Sequence, residues 1–237
     1  MLKLFVQNVS YINEKEKLAF TLAEVLITLG IIGVVAAMTI PTLMTKINEQ
    51  VYKAQLKKTI STLNQAVKMV YNNTDTIYDC YYGSDSGGLG SSKECDELSE
   101  EMKKVLKVSH ICENNAYKKG CIPKYKGKDT VLKTNYGDDY DLSSAASNCG
   151  GLFESAILKR NPVWVLQDGT IIGLYRGDPK YIYVDVNGAK GPNKWGYDIF
   201  ILYLKMSNSN QGVSYIPVNG GCVFVEKGGK LPFEMMN

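Results

Sequence analysis

The segment from Phe20 to Met44 constrains this chain more than any other. It reads FTLAEVLITLGIIGVVAAMTIPTLM, 25 residues with a single charge, Glu24. About 20 apolar residues are enough for a helix to cross the hydrocarbon core of a bilayer. A cleaved secretory signal has a shorter apolar stretch, and its small-residue cleavage site lies at the far end. Here the run is longer, and the small residue Ala19 stands before it. The segment therefore reads as a transmembrane helix.

Glu24 is the informative residue within it. A charge in the membrane costs about 2.5–3.5 kcal/mol on insertion scales, so a carboxylate there points to function. A cut after Ala19 would give Phe20 a new α-amino group, one helical turn from Glu24. A buried charge is tolerable when paired, and a protonated amine is the natural partner of a carboxylate. Between neighbouring subunits such a pair would set the axial register of a helical assembly. The plainer alternative is a carboxylate that snorkels to the membrane surface.

Ala19-Phe20-Thr21-Leu22-Ala23-Glu24, followed by Val25-Leu26-Ile27 and the long apolar run, resembles the cleavage and methylation motif of type IV prepilins and type II secretion pseudopilins. The resemblance covers about the first 45 residues. It implies a leader over 1–19, a cut between Ala19 and Phe20 by a prepilin peptidase, methylation of Phe20, and Glu24 as the assembly carboxylate. Pro41 matches the proline that kinks the helix in that family. Ala19 stands where Gly is usual. The resemblance also implies partners: other pilin subunits, the peptidase and an inner-membrane assembly platform. It places the chain in a bacterial inner membrane as a single-pass protein, N-terminus cytoplasmic and head periplasmic, before it enters a pilus or pseudopilus. Charge alone does not orient it, because Lys3, Lys15 and Lys17 precede the run and Lys46, Lys53, Lys57 and Lys58 follow it.

Beyond Pro41, apolar residues recur at Leu43, Ile47, Val51, Leu56, Ile60, Leu63, Val67 and Val70. These spacings are close to the helical period. No Gly or Pro lies between Thr42 and Asn72. One helix over 20–72 is expected, roughly 75–80 Å long at about 1.5 Å per residue. Residues 20–44 form its transmembrane part and 45–72 its amphipathic continuation, whose apolar stripe needs a cover.

Residues 73–237 form the expected head. All six cysteines fall in it: Cys80, Cys95, Cys112, Cys121, Cys149 and Cys222. That asymmetry suggests an oxidising compartment and up to three disulfides, with their pairing open. Residues 73–93 read as a loop, 94–108 as a helix, and 109–150 as loop-like. Strands follow at 163–166, 170–174, 181–186 and 199–204. Asp168-Gly169 between the first two is a hairpin signal. A meander of antiparallel strands packed on one long helix is an α+β fold, and it is also the head that a pilin resemblance implies.

Between the last two strands lies DVNGAKGPNKWGYD, residues 185–198. Its Asp and Asn side chains read first as acceptors for backbone amides in turns. They also offer oxygen ligands for Ca²⁺, with Asp185, Asn187 and Asp198 as candidates. The segment resembles a loop of pseudopilin-like heads, some of which bind calcium. It departs from an EF-hand loop, since Ala189 replaces a ligand and no Glu closes it.

Other functions find less support. The net charge of +3 is too small and too dispersed for nucleic-acid binding. The chain has one histidine, His110, and no nucleophile elbow, P-loop or zincin motif. No enzyme is expected. His110 with Cys112 and Cys121 is a weak zinc pattern beside the disulfide that the two cysteines could form. The expected function is a structural subunit of a type IV pilus or type II secretion pseudopilus. The alternative is a minor, tip or competence pilin whose head binds a surface or DNA.

Overall fold

The computed structural model describes residues 21–73, 93–143, 149–206, 213–218 and 220–237. The leader, Ala19, Phe20, the loop around Cys80 and the side chain of Cys95 lie outside the described residues. Two compact units divide the chain, Met1–Lys46 and Ile47–Asn237.

The first helix, α1, runs from Leu22 to Asn73 without interruption, as the periodicity predicts. Within its first part lies a stretch long and apolar enough to cross a membrane, and none of that stretch is buried. In this part Thr28, Thr39, Thr42 and Thr45 turn their hydroxyls back onto the carbonyls of Val25, Val35, Thr39 and Pro41. The polar groups are thus satisfied inside the helix, which is what a hydrocarbon environment requires. Pro41 sits within the helix and withholds one backbone donor there.

From Leu56 onward α1 changes character. Leu56, Ile60, Leu63, Ala66, Val67 and Val70 are buried. Ile47 and Val51 share the spacing but remain exposed, so the cover begins at Leu56, more than two turns later than the pattern suggests. Helix α2, Lys93–Val105, contributes Leu98 and Met102 to the same core.

The cover is a six-stranded antiparallel sheet in sequential order. Its strands are β1 (Val108–Cys112), β2 (Val163–Leu166), β3 (Ile171–Tyr175), β4 (Asp178–Asp185), β5 (Ile199–Met206) and β6 (Val213–Pro217). The fold is α+β, a long helix packed on an antiparallel sheet. Strands β1 and β6 and helix α3 (Lys128–Tyr136) fall outside the sequence-based expectation. The reason is local. Most of β1 is exposed at an edge, and α3 buries a single apolar residue, Val131.

Both faces of the sheet are covered. Trp164, Ile172, Leu174, Ile182, Val184, Phe200 and Leu202 face α1 and α2. Val163, Ile171, Tyr183, Ile199 and Ile201 face a layer that includes Tyr125, Leu152, Ile157, Trp195 and Phe224. That layer also holds α3, α4 (Glu154–Lys159) and two disulfides, Cys112–Cys121 and Cys149–Cys222. A glycine in β3 makes room for it. A Cβ on Gly173 would lie 1.9 Å from the ring of Tyr183, its partner across the strands.

Polar ties join α1 to the sheet. Asn64 accepts from the backbone N–H of Tyr215 at 2.6 Å and donates to its carbonyl at 3.4 Å. One amide thus satisfies both outward backbone groups at that point on edge strand β6, which closes the edge to another chain there. Lys58 reaches Asp168 in the β2–β3 turn at 2.9 Å.

Candidate functional site

At the start of α1, Glu24 does something that its placement in an apolar run does not suggest. Its Oε2 accepts the backbone N–H of Thr21 at 2.8 Å and the Thr21 hydroxyl at 2.9 Å. Thr21 Oγ1 in turn accepts the N–H of Glu24 at 3.2 Å. This is a capping box, in which residues three apart satisfy each other's orphaned donors at a helix start. Thr21-x-x-Glu24 carries that signature openly in the sequence. The geometry leaves an assembly role open, since the carboxylate retains lone pairs for a second partner.

The cysteine-rich region resolves one competition. His110, Cys112 and Cys121 bring their ligand atoms within 4.8 Å of one another. However, Cys112 and Cys121 are joined as a disulfide, so neither sulfur is a thiolate for zinc.

The most concentrated polar site is the β4–β5 connection. Asp185 ends β4 and Asp198 immediately precedes β5, so the sheet register fixes both ends of the loop. Both aspartates are 0% exposed. Among the described residues, neither is paired with a lysine or arginine. Asp198 instead accepts the backbone N–H groups of Lys194 at 2.7 Å and Asn193 at 2.8 Å. Asp185 accepts the Asn187 N–H at 3.2 Å and the hydroxyl of Tyr125 at 2.7 Å. These bonds are the turn-stapling role that the sequence suggests first.

Two charges buried so closely carry a cost. Burial, with the nearby Asp198 adding to it, pushes the Asp185 carboxyl up to about 7, against the pull of the Tyr125 hydrogen bond. Burial also raises Asp198, although backbone amides oppose it. Tyr125 is driven well above the usual phenol range, by burial first and then by Asp185.

Further polar groups belong to the same loop. Asn187 Oδ1 is buried with no donor among the described residues, while its Nδ2 donates to Gly191 O at 2.7 Å and its side chain also hydrogen-bonds the Asp198 carboxylate. The Asn193 amide stands 3.0 Å from Gly188 O and 3.2 Å from Asp185 Oδ2. With its oxygen inward, that cluster is all acceptors; turned over, the amide nitrogen donates to both. Calcium binds six to eight oxygens at about 2.3–2.6 Å, so ligand oxygens around it stand roughly 3 Å apart. Both carboxylates take further donors as well, Asp185 the backbone N–H of Gly188 and Asp198 its own backbone N–H and the Asn187 side chain. A calcium ion held here would use Asp185, Asp198, Asn187 and Asn193 as side-chain ligands, in exchange for some of those donors.

The three residues chosen from sequence thus come together, and the structure adds three more. Asn193 lies in the same loop, but only its position relative to Gly188 gives it weight. Tyr125 arrives from 60 residues away in sequence. Tyr52 comes from α1, its hydroxyl donating to Gly191 O at 3.4 Å. Glycine allows the tight path, since Gly188 has φ 64° and a Cβ there would meet Gly169 O at 2.2 Å. No protein family, no curated protein and no solved structure matches this chain.

Proposed function

We propose that the chain is a structural subunit of a type IV pilus or type II secretion pseudopilus, processed between Ala19 and Phe20 and assembled through α1. The observation that carries this reading is the division of a single 52-residue helix. Its large apolar residues from Leu22 to Val51 are solvent-facing, and from Leu56 its stripe is buried by the head. A helix that is apolar and uncovered needs lipid or other helices around it. Lipid would fill that place before assembly, and neighbouring copies afterwards.

Mass spectrometry of the mature N-terminus tests the processing. A chain beginning with methylated Phe20 is expected, and an intact leader overturns the reading. The role of Glu24 needs a finer variant than alanine, because alanine also destroys the capping box. Glutamine serves at the same capping position. Glu24→Gln should therefore be processed and held in the membrane, yet enter filaments poorly. Normal incorporation would leave Glu24 a helix cap only.

For the head, we propose that the β4–β5 loop binds calcium, a reading supported by the oxygens around Asp185 and Asp198. A titration in which calcium left the stability of the full chain unchanged would remove it, because a ligand bound only by the folded state must stabilise that state.

A further inference from the structure

A cavity of about 250 Å³ lies between helix α2, the start of β2 and the end of β3. Trp164 and Leu174, 1% and 3% exposed, form its inner wall beside Pro162. Glu100 and Glu113, whose side chains are 64% and 65% exposed, stand at its mouth. Between these two, Lys103 Nζ lies 2.7 Å from Glu100 and 3.9 Å from Glu113, and 5.8 Å from the centre of the Trp164 ring.

The indole of Trp164 is the unusual group here. Its N–H is buried and meets no acceptor among the described residues. The other tryptophan shows the ordinary state, with Trp195 Nε1 donating to Lys126 O at 2.7 Å. A buried donor left unmade keeps its full desolvation penalty, and a buried tryptophan usually finds a partner. Trp164 borders the cavity, so an acceptor at the inner end would supply what the indole lacks.

The walls restrict what can bring that acceptor. Asp96, Glu100 and Glu113 outnumber Lys103 around the cavity, which disfavours an anion. An ammonium group suits the carboxylates but has no acceptor to offer the indole. A hydroxyl does both, since it donates one hydrogen bond and accepts others. Several hydroxyls on one carbon frame can donate to the carboxylates, accept from Trp164 Nε1, and lay C–H groups on Pro162 and Leu174. The volume falls below the roughly 300–1,000 Å³ of sites for drug-sized ligands, so it takes one such ring rather than a chain of them.

We propose that this cavity binds one neutral sugar unit, with Trp164 Nε1 as the donor at its inner end and Glu100 and Glu113 as acceptors at its mouth. A free sugar and the terminal unit of a glycan offer the same hydroxyls. The site belongs to the head alone and does not depend on how α1 is used.

The test uses the full chain in micelles of a detergent without a sugar headgroup, titrated with the methyl glycosides of glucose, galactose, mannose and N-acetylglucosamine. Binding is followed by calorimetry and by the two indole N–H resonances, with that of Trp164 assigned by its loss in Trp164→Phe. At least one glycoside should bind, with a Kd on the order of 1 mM, and should move the Trp164 resonance while leaving that of Trp195 in place. Trp164→Phe alters the core, so Glu100→Ala, at an exposed position, is the second variant. Each should weaken binding about three- to tenfold, the worth of one hydrogen bond. Immobilised oligosaccharides that end in the bound unit separate the two sources: they retain the chain if it reads glycan ends, and do not if it takes the free sugar alone. Binding of none of the four glycosides would overturn the proposal. So would binding of N-acetyl-lysine amide in their place, which would make the cavity a cation site. Sugar binding that leaves the Trp164 resonance unmoved, or that is undiminished in both variants, would place the sugar elsewhere and overturn it equally.

Discussion

The two faces of the sheet are built in different ways. Toward α1, mostly aliphatic side chains from two helices meet strand side chains that are largely aliphatic, with Trp164, Phe200 and Tyr215 among them and Leu56, Leu63, Val67, Leu98 and Met102 from the helices. On the other face the chain is irregular, and its core is aromatic. Tyr183 meets Tyr125 edge-on at 6.3 Å and Trp195 at 5.7 Å, and Trp195 leans on Phe224 at 4.4 Å. A regular helix satisfies its own backbone and can offer a purely apolar stripe. Irregular chain cannot, so it must be tied by side-chain hydrogen bonds, buried carboxylates and disulfides. The same sheet is therefore held by packing on one face and by specific fastenings on the other.

That contrast can be broken first at its packed face. Leu63 is 1% exposed and belongs to the core that α1 shares with the sheet. Leu63→Ala should cost about 3–5 kcal/mol in chemical denaturation, the transfer term plus a cavity. A cost under about 1 kcal/mol would mean that α1 does not pack as described. The fastened face is tested by Cys149→Ser with Cys222→Ser. The disulfide closes a separation of 73 residues, so its loss should cost about 2–4 kcal/mol. Reducing agent should destabilise the wild-type chain further than it destabilises the double variant; equal sensitivity would deny the bridge any role.

The packed face was also the legible one. The stripe Leu56, Ile60, Leu63, Val67, Val70 is written at helical spacing and is buried as written. The Asp168-Gly169 hairpin is equally local, and Gly169 takes the positive φ of 89° that the turn needs. Neither signal exists for the other face. Edge strand β1 has no apolar run, and the β3–β4 turn is made by Arg176-Gly177, with φ of 53° and 90°. Arginine gives no warning of such a turn. At the candidate cation site, side-chain chemistry pointed to Asp185, Asn187 and Asp198. Tyr52 and Tyr125 could not be found that way, because tertiary packing alone brings them to the loop. The carbonyls of Gly188 and Gly191 have no side chain to read. Glu24 is a different case, since the capping signature was visible and the rarity of a charge in an apolar run overshadowed it.

The two ends of β3 sharpen the contrast through pH. Asp178, which opens β4 just after the β3–β4 turn, is 4% exposed and accepts the N–H of Lys180 at 2.8 Å. Burial pushes its carboxyl up to about 6, despite the opposing pull of Lys180. A carboxyl raised above its unfolded value favours the fold while protonated, so that stability is present below about pH 4 and is lost as pH rises through about 6. Asp178→Asn keeps the acceptor and removes the charge. Relative to wild type, the variant should therefore gain up to about 3 kcal/mol between pH 4 and 7, the linkage equivalent of that shift. A constant difference across that range would show that Asp178 does not titrate in the folded head.

Asp168, in the β2–β3 turn, should show the opposite sign and a smaller size. Partial burial would raise its carboxyl, but hydrogen bonds from Lys58 and Thr170 outweigh that and hold it below the ordinary value. A lowered carboxyl stabilises the fold above its unfolded value, and the contribution is lost as pH falls through the folded one. Both side chains are substantially in water, at 66% for Lys58 and 44% for Asp168. Solvent screening limits such a pair to roughly 0–1 kcal/mol. Lys58→Met keeps the apolar stem and removes the charge. It should cost less than about 1 kcal/mol at pH 7 in low salt. That cost should shrink in high salt, because exposed pairs are screened, and should vanish near pH 3. A cost that survived both changes would mean that α1 meets this turn through packing rather than charge, and the tie would then belong with the aliphatic face.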